Sequence, residues 1–219
     1  IVMPADIKLT EQGYIIDGKI YPRVTSILSV IRKQELEQWR GEVGNEVADE
    51  KLLSAQDTGT RIHSACEDIL EQIDAEVEIP KISNLDVYPE NEQCMLLNFL
   101  GWAVKHIEKI ILLEKVVYHP TYIYAGRMDW LVVLKGDSIP TLFDLKTSAA
   151  IYDEVALQLA AYKEALKVMG IVEDCRRMCL RLDKEDGSIQ IKEFNGTQDF
   201  NAFLCCLGIY NWRKGAKNG

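Results

Sequence analysis

Ala125-Gly126-Arg127-Met128-Asp129-Trp130 and Leu142-Phe143-Asp144-Leu145-Lys146-Thr147 each read as an apolar strand interrupted by charge. Side chains alternate along a strand, so Asp144 and Lys146 fall on one face. The intervening Lys135-Gly136-Asp137-Ser138-Ile139-Pro140 is rich in turn formers, which makes the two stretches antiparallel neighbours. With Leu134 opposite Thr141, Asp129 and Asp144 stand one position from direct register. Two acids and a lysine then converge. A bare carboxylate in an apolar strand is costly. A divalent cation explains why both stay, since Mg²⁺ takes one or two carboxylates, waters and phosphate oxygens. The plain alternative is a cross-strand Asp–Lys pair on a solvated hairpin.

Working outward, Asn91 to Ile107 is helical, with Met95, Leu96, Phe99, Leu100, Ala103 and Ile107 at core spacing. The character changes at Leu113: Lys115–Tyr118 reads as a strand, Tyr122–Leu134 as a second and Thr141–Lys146 as a third. Ala149–Met169 is helical and stops at Gly170; Arg176–Leu182 and Ile189–Phe194 are further strands, and Thr197 caps a last helix. The order is α-β-β-β-α-β. The helical crossover lets the third and fourth strands run parallel, so the class is α/β with a mixed central sheet flanked by helices. Before it come an Asp17-Gly18 hairpin, a short helix capped by Thr25 or Ser26, a helix from Leu36 to Leu53, and another capped by Asp57 or Thr58. The length fits a single domain, with a hairpin and helical arch in residues 1–90 and an α/β core in 91–219.

Charge narrows the function. The 219 residues carry 25 Lys+Arg against 34 Asp+Glu, a net of −9, which excludes coating nucleic acid by charge alone. It does not exclude carboxylates that hold cations against phosphates. The apolar stretch Ile107–Val117 contains Glu108, Lys109, Glu114 and Lys115, so no membrane span is expected. The opening residues lack the pattern of a signal peptide, and six cysteines without a Cys-x-x-Cys fit an intracellular, reducing compartment.

Helical pairs supply further candidates. His63 and Glu67 are four apart on one helix face, able to give a metal a nitrogen and an oxygen, or to leave Glu67 orienting His63. Gln158 and Tyr162 are four apart in an otherwise apolar helix, where they can also satisfy each other. Glu114 is a lesser candidate. Arg61 and Arg127 border the motifs as phosphate contacts, or as exposed partners of nearby acids.

The run Gly59-Thr60-Arg61-Ile62-His63, Gly126-Arg127-Met128-Asp129, Asp144-Leu145-Lys146 and Gln158-Leu159-Ala160-Ala161-Tyr162 resembles the PD-(D/E)XK nuclease superfamily, in its RecB-like and Cas4-like exonuclease branch. Pro22-Arg23-Val24-Thr25-Ser26-Ile27-Leu28 and Leu36-Glu37-Gln38-Trp39 are similar to the mitochondrial genome maintenance exonucleases and their phage relatives. The resemblance implies a restriction-endonuclease-like core and a two-metal Mg²⁺ or Mn²⁺ site. Asp129 and Asp144 would bridge the ions, with the Leu145 carbonyl and His63 as further ligands. Lys146 would orient or deprotonate the attacking water, and Gln158 and Tyr162 would position nucleic acid and the lysine. It implies hydrolysis of DNA, on single strands or strand ends, in replication, recombination or repair, alongside proteins of those processes. The host compartment would be a bacterial or phage-infected cytoplasm, or an organelle matrix. The Cas4-like iron–sulfur cysteine spacing is missing, so no cluster is expected. Two other readings stay open: an idle nuclease fold serving as a DNA- or partner-binding module, and a Cas4-like endonuclease or adaptation factor.

Overall fold

The structure, a computed structural model, describes residues 6–31 and 34–217. The opening residues 1–5, on which the leader reading rests, lie outside the described residues, as do the side chains of Leu36 and Gln38. The architecture is α/β: a mixed five-stranded sheet, a three-stranded antiparallel sheet, and helices.

The N-terminal sheet is β1 (Ile7–Thr10), β2 (Gly13–Ile16) and β3 (Lys19–Tyr21). Asp17 and Gly18 form the turn between β2 and β3 with φ of 49° and 75°, the left-handed pair that a tight hairpin requires. β1 went unread in the sequence because it is short and mostly solvated. After β3 the chain reaches the main sheet, where the Ala125 N–H donates to the Pro22 carbonyl at 3.0 Å. Then follow α1 (Val24–Leu28), α2 (Gln34–Val43) and α3 (Asn45–Asp74).

α3 corrects the expected helix pattern. The break falls at Gly44, with φ +85°, and the helix then runs unbroken through Asp57 and Thr58, the expected caps. Polar residues there do not end it because they find partners inside it: the Thr60 hydroxyl donates to the Gln56 carbonyl one turn back. The apolar stripe of Ile62, Ala65, Cys66, Ile69 and Leu70 then buries its C-terminal half.

The main sheet has the order β4 (Ile107–His119), β5 (Tyr124–Leu134), β6 (Thr141–Lys146), β7 (Arg176–Leu182) and β8 (Ile189–Glu193). All neighbours are antiparallel except β6 and β7, which run parallel and are joined through α5 (Glu154–Val168). α4 (Glu90–His106) precedes β4, and α6 (Asp199–Lys217) follows β8. β4 starts eight residues earlier than the sequence suggests. Ile107 ends the helix with extended backbone, and its apolar side chain suits either period. α5 likewise starts at Glu154 instead of Ala149, and α6 at Asp199.

Two apolar layers flank the sheet. One joins Leu131, Leu142 and Cys179 to α1, α5 and α6; the other joins Trp130, Phe143, Leu145 and Leu180 to α3 and α4. Full burial of such side chains stabilises by roughly 1.5–3 kcal/mol each. Phe143 and Leu145 point toward α3 and α4, so alternation turns Asp144 and Lys146 toward α5. Among the described residues no helix is long and apolar enough to cross a membrane.

Candidate active site

The site forms where β5 and β6 part. Their ladder ends at Trp130↔Phe143, whereas β6 stays paired with β7 as far as Lys146↔Arg181. The hairpin closes at Val132↔Thr141, two residues earlier on β5 than Leu134, so continuing its register sets Asp129 across from Asp144. Beyond the last pair a side chain replaces the ladder: the Leu145 N–H donates to Asp129 Oδ2 at 2.6 Å.

The Leu145 peptide is engaged at both ends. Its carbonyl lies 3.0 Å from His63 Nε2, which reaches it from α3. With the proton on Nε2, the imidazole donates to that carbonyl and its Nδ1 lone pair is left facing Asp129 Oδ2, 3.9 Å away. The expected ligand carbonyl of Leu145 thus stands here as a hydrogen-bond partner of His63.

Glu114 completes this half of the site. It lies across β4 from Asp129, between the pairs Leu113↔Trp130 and Lys115↔Met128. Its φ of 47° is left-handed, uncommon for any non-glycine residue and unexpected within a strand. One ligand atom each from His63, Glu114 and Asp129 lie within 4.8 Å of one another. Burial pushes the Glu114 carboxyl up to about 7, with the Asp129 charge adding to the rise and Arg127 opposing it. Arg127 Nε stands 2.8 Å from Glu114 Oε2, and the Arg127 side chain is otherwise exposed. Glu67 is half-buried one turn along α3 from His63, and its charge also raises the Glu114 acid.

The second half centres on Asp144. Asp144 is buried; its Oδ1 accepts from Gln158 Nε2 at 2.7 Å, and its Oδ2 lies 2.7 Å from Lys146 Nζ. Gln158 Nε2 also faces the Tyr162 hydroxyl at 3.4 Å. Burial pushes the Asp144 carboxyl up, against the pull of Lys146. Burial works against the Lys146 ammonium, but the charges of Asp144 and Asp129 outweigh it and hold its pKa above the ordinary lysine value.

Arg61 points elsewhere. Its guanidinium grips the buried Glu92 carboxylate, with Nη2 2.5 Å from Oε1, and ties α3 to α4. A groove of about 420 Å³ lies beside the site, lined by Leu52, Gln56 and Lys184 together with His63 and Lys146. Leu52 and Gln56 come from α3 and Lys184 from the turn between β7 and β8, and no local motif marks these three. All six cysteines are free thiols, with Cys175, Cys179 and Cys206 in the apolar layer under α5 and α6.

The donor set suits a hard or borderline divalent cation: two carboxylates and one imidazole, with Asp144 on the adjoining strand. The chain matches no family model and no curated protein. Among solved structures it is similar to the crystal structure of SSO0001, at 13% identity and a TM-score of 0.46, over 87% of this chain and 74% of that one. It is also similar to a protein of Eubacterium rectale provisionally named an exonuclease, at 11% identity and a TM-score of 0.46, over 71% of this chain and 65% of that one.

Proposed function

We propose that this chain is a Mg²⁺- or Mn²⁺-dependent deoxyribonuclease of the PD-(D/E)XK superfamily, an exonuclease acting on single strands or strand ends in replication, recombination or repair. In this reading residues 91–219 form a restriction-endonuclease-like core, and residues 1–90 a hairpin and helical part belonging to the same domain. The observation that carries it is the convergence of His63, Glu114 and Asp129 beside the ion pair of buried Asp144 with Lys146 at the parting of two strands.

His63, Glu114, Asp129 and Asp144 would hold the cation, which when bound activates water and stabilises charge on a phosphodiester. The chain does the rest. The Leu145 peptide orients His63 and Asp129 from one rigid group. Lys146 stays an ammonium at neutral pH and has donors beyond the one facing Asp144. It is therefore suited to orient a water or a non-bridging oxygen as negative charge develops, rather than to take a proton. Gln158 fixes Asp144, and the cation supplies the positive potential that a chain of net charge −9 lacks.

The test is end-labelled single- and double-stranded DNA incubated with Mg²⁺, Mn²⁺ or chelator, for wild type, Asp144→Asn and Lys146→Ala. Hydrolysis that requires the cation and collapses in both variants is expected. Hydrolysis that persists in chelator, or in both variants, ends the proposal.

A further inference from the structure

We propose that Gly126 is a positioning residue: the space left by its missing side chain seats the Tyr162 ring, and through Tyr162 and Gln158 it sets where the Asp144 carboxylate stands. The nuclease reading enters only in what Asp144 then does.

Gly126 lies on β5, three residues before Asp129. Its φ is not left-handed, so backbone conformation does not call for glycine there. Space does. A Cβ built on Gly126 would lie 2.5 Å from Tyr162 Cε1, 2.9 Å from the hydroxyl oxygen and 3.1 Å from Cζ. Such separations are well inside van der Waals contact, so one of the two groups would have to move. The ring has little room to recede: Tyr162 is 3% exposed and packed in the layer that includes Leu159 and Leu166.

The atoms that the methyl would strike include the hydroxyl oxygen, which lies 3.4 Å from Gln158 Nε2. Of the two protons on Gln158 Nε2, one points to Asp144 Oδ1 at 2.7 Å and the other to the Tyr162 hydroxyl at 3.4 Å. Held at both, the amide presents its nitrogen to the carboxylate and keeps its own oxygen away. Asp144 needs that hold because it sits past the last β5–β6 pair, where the neighbouring strand no longer supports it. Side chains of Gln158 and Lys146 fix it in place of β5. A methyl at position 126 displaces the hydroxyl, frees the Gln158 amide to turn, and lets Asp144 drift.

Two readouts test this. On single-stranded DNA, Gly126→Ala is expected to lower kcat by about 10–100-fold, the usual cost of losing a group that orients a ligand, with KM little changed. In a Tyr162→Leu background, which lacks the atoms the methyl meets, the same change is expected to cost less than about twofold. The second readout needs neither metal nor activity. By ¹⁵N-edited NMR of the metal-free protein, the Gln158 side-chain amide protons should be widely dispersed and slow to exchange in wild type. In Gly126→Ala they should collapse toward solvent values.

A Gln158 amide unchanged by Gly126→Ala overturns the inference, as does a cost equally large in the Tyr162→Leu background. If wild type cleaves no DNA with any divalent cation, the nuclease reading falls and the amide spectrum still decides the role of Gly126. Should Gly126→Ala fail to fold, melting in the Tyr162→Leu background decides. Equal melting with and without Gly126→Ala supports the seat, and lower melting with it overturns it.

Discussion

On one side of the parting strands, His63, Glu114 and Asp129 crowd ligand atoms within 4.8 Å, with Arg127 paired to Glu114 and the Leu145 peptide bonded to Asp129 and His63. On the other, Asp144 has an amide on one oxygen and an ammonium beside the other. The first group, on α3, β4 and β5, crowds two carboxylates and an imidazole together, whereas the second, on β6 and α5, is matched in charge, its carboxylate facing an ammonium and an amide. Burial and the nearby Asp129 charge raise the Glu114 acid, a cost to the metal-free protein that Arg127 offsets only in part. In the second group the Gln158 amide and the Lys146 ammonium hold Asp144, although its buried Oδ2 makes no hydrogen bond of good geometry. In the proposed reading the first half would supply most of the cation's ligands, and the second would hold Asp144 in place beside them.

Removing a charge from the matched half should have the largest effect. Asp144→Asn and Lys146→Ala are each expected to lower kcat on labelled DNA by about 10²–10³-fold, the range seen when one electrostatic contact to a transition state is lost. A loss below tenfold in both would erase the distinction between the halves.

Substitutions in the crowded half should weaken cation binding more than chemistry. His63→Ala and Glu114→Gln are expected to reduce Mn²⁺ affinity by about 10–100-fold in calorimetry and to recover part of the activity at high Mn²⁺. Neither should unfold the protein. A collapse of thermal stability in His63→Ala would make the imidazole a structural group.

The third way to sharpen the contrast is pH. Glu114 has its carboxyl raised from 4.5 to about 7, so the folded state prefers it protonated. Its contribution to stability is present below about 4.5 and is lost as pH rises through about 7. The melting temperature of the metal-free protein should fall across that window, and Glu114→Gln should flatten the slope. Added Mn²⁺ should raise melting most at the alkaline end, because the cation favours the ionised form.

The smallest effect concerns Arg61, which belongs to neither half. Arg61→Ala leaves the buried Glu92 carboxylate without its partner, an expected loss of about 1–3 kcal/mol in urea unfolding. KM for DNA should stay near wild type. A large rise in KM would return Arg61 to the phosphate-binding role.

The strands carrying Asp129 and Asp144, the α-β-β-β-α-β order and the parallel β6–β7 pair were legible because period-2 alternation and turn formers mark them. So was the meeting of Asp144 with Lys146, which follows from spacing two on a strand. The boundaries were less so. Ile107 fits a helix face and a strand equally, and the polar run through Asp57 and Thr58 looks like a cap until Thr60 is seen bonding back into the helix. Glu114 was undervalued because its place in the site depends on a left-handed backbone turn, which no local signal announces at a glutamate. The seat of Tyr162 on Gly126 was hidden for a different reason: it joins a strand to a helix far along the chain.

The Leu145 peptide has an evolutionary corollary. Its amide steadies Asp129 and its carbonyl steadies His63, and both groups are supplied by the main chain. Nineteen of the twenty amino acids possess both; proline alone lacks the N–H. Position 145 is therefore free to drift among residues that fill the layer under α3 and α4, while the orientation it imposes is inherited unchanged. Selection at that position is expected to read as tolerance of side-chain identity joined to intolerance of proline.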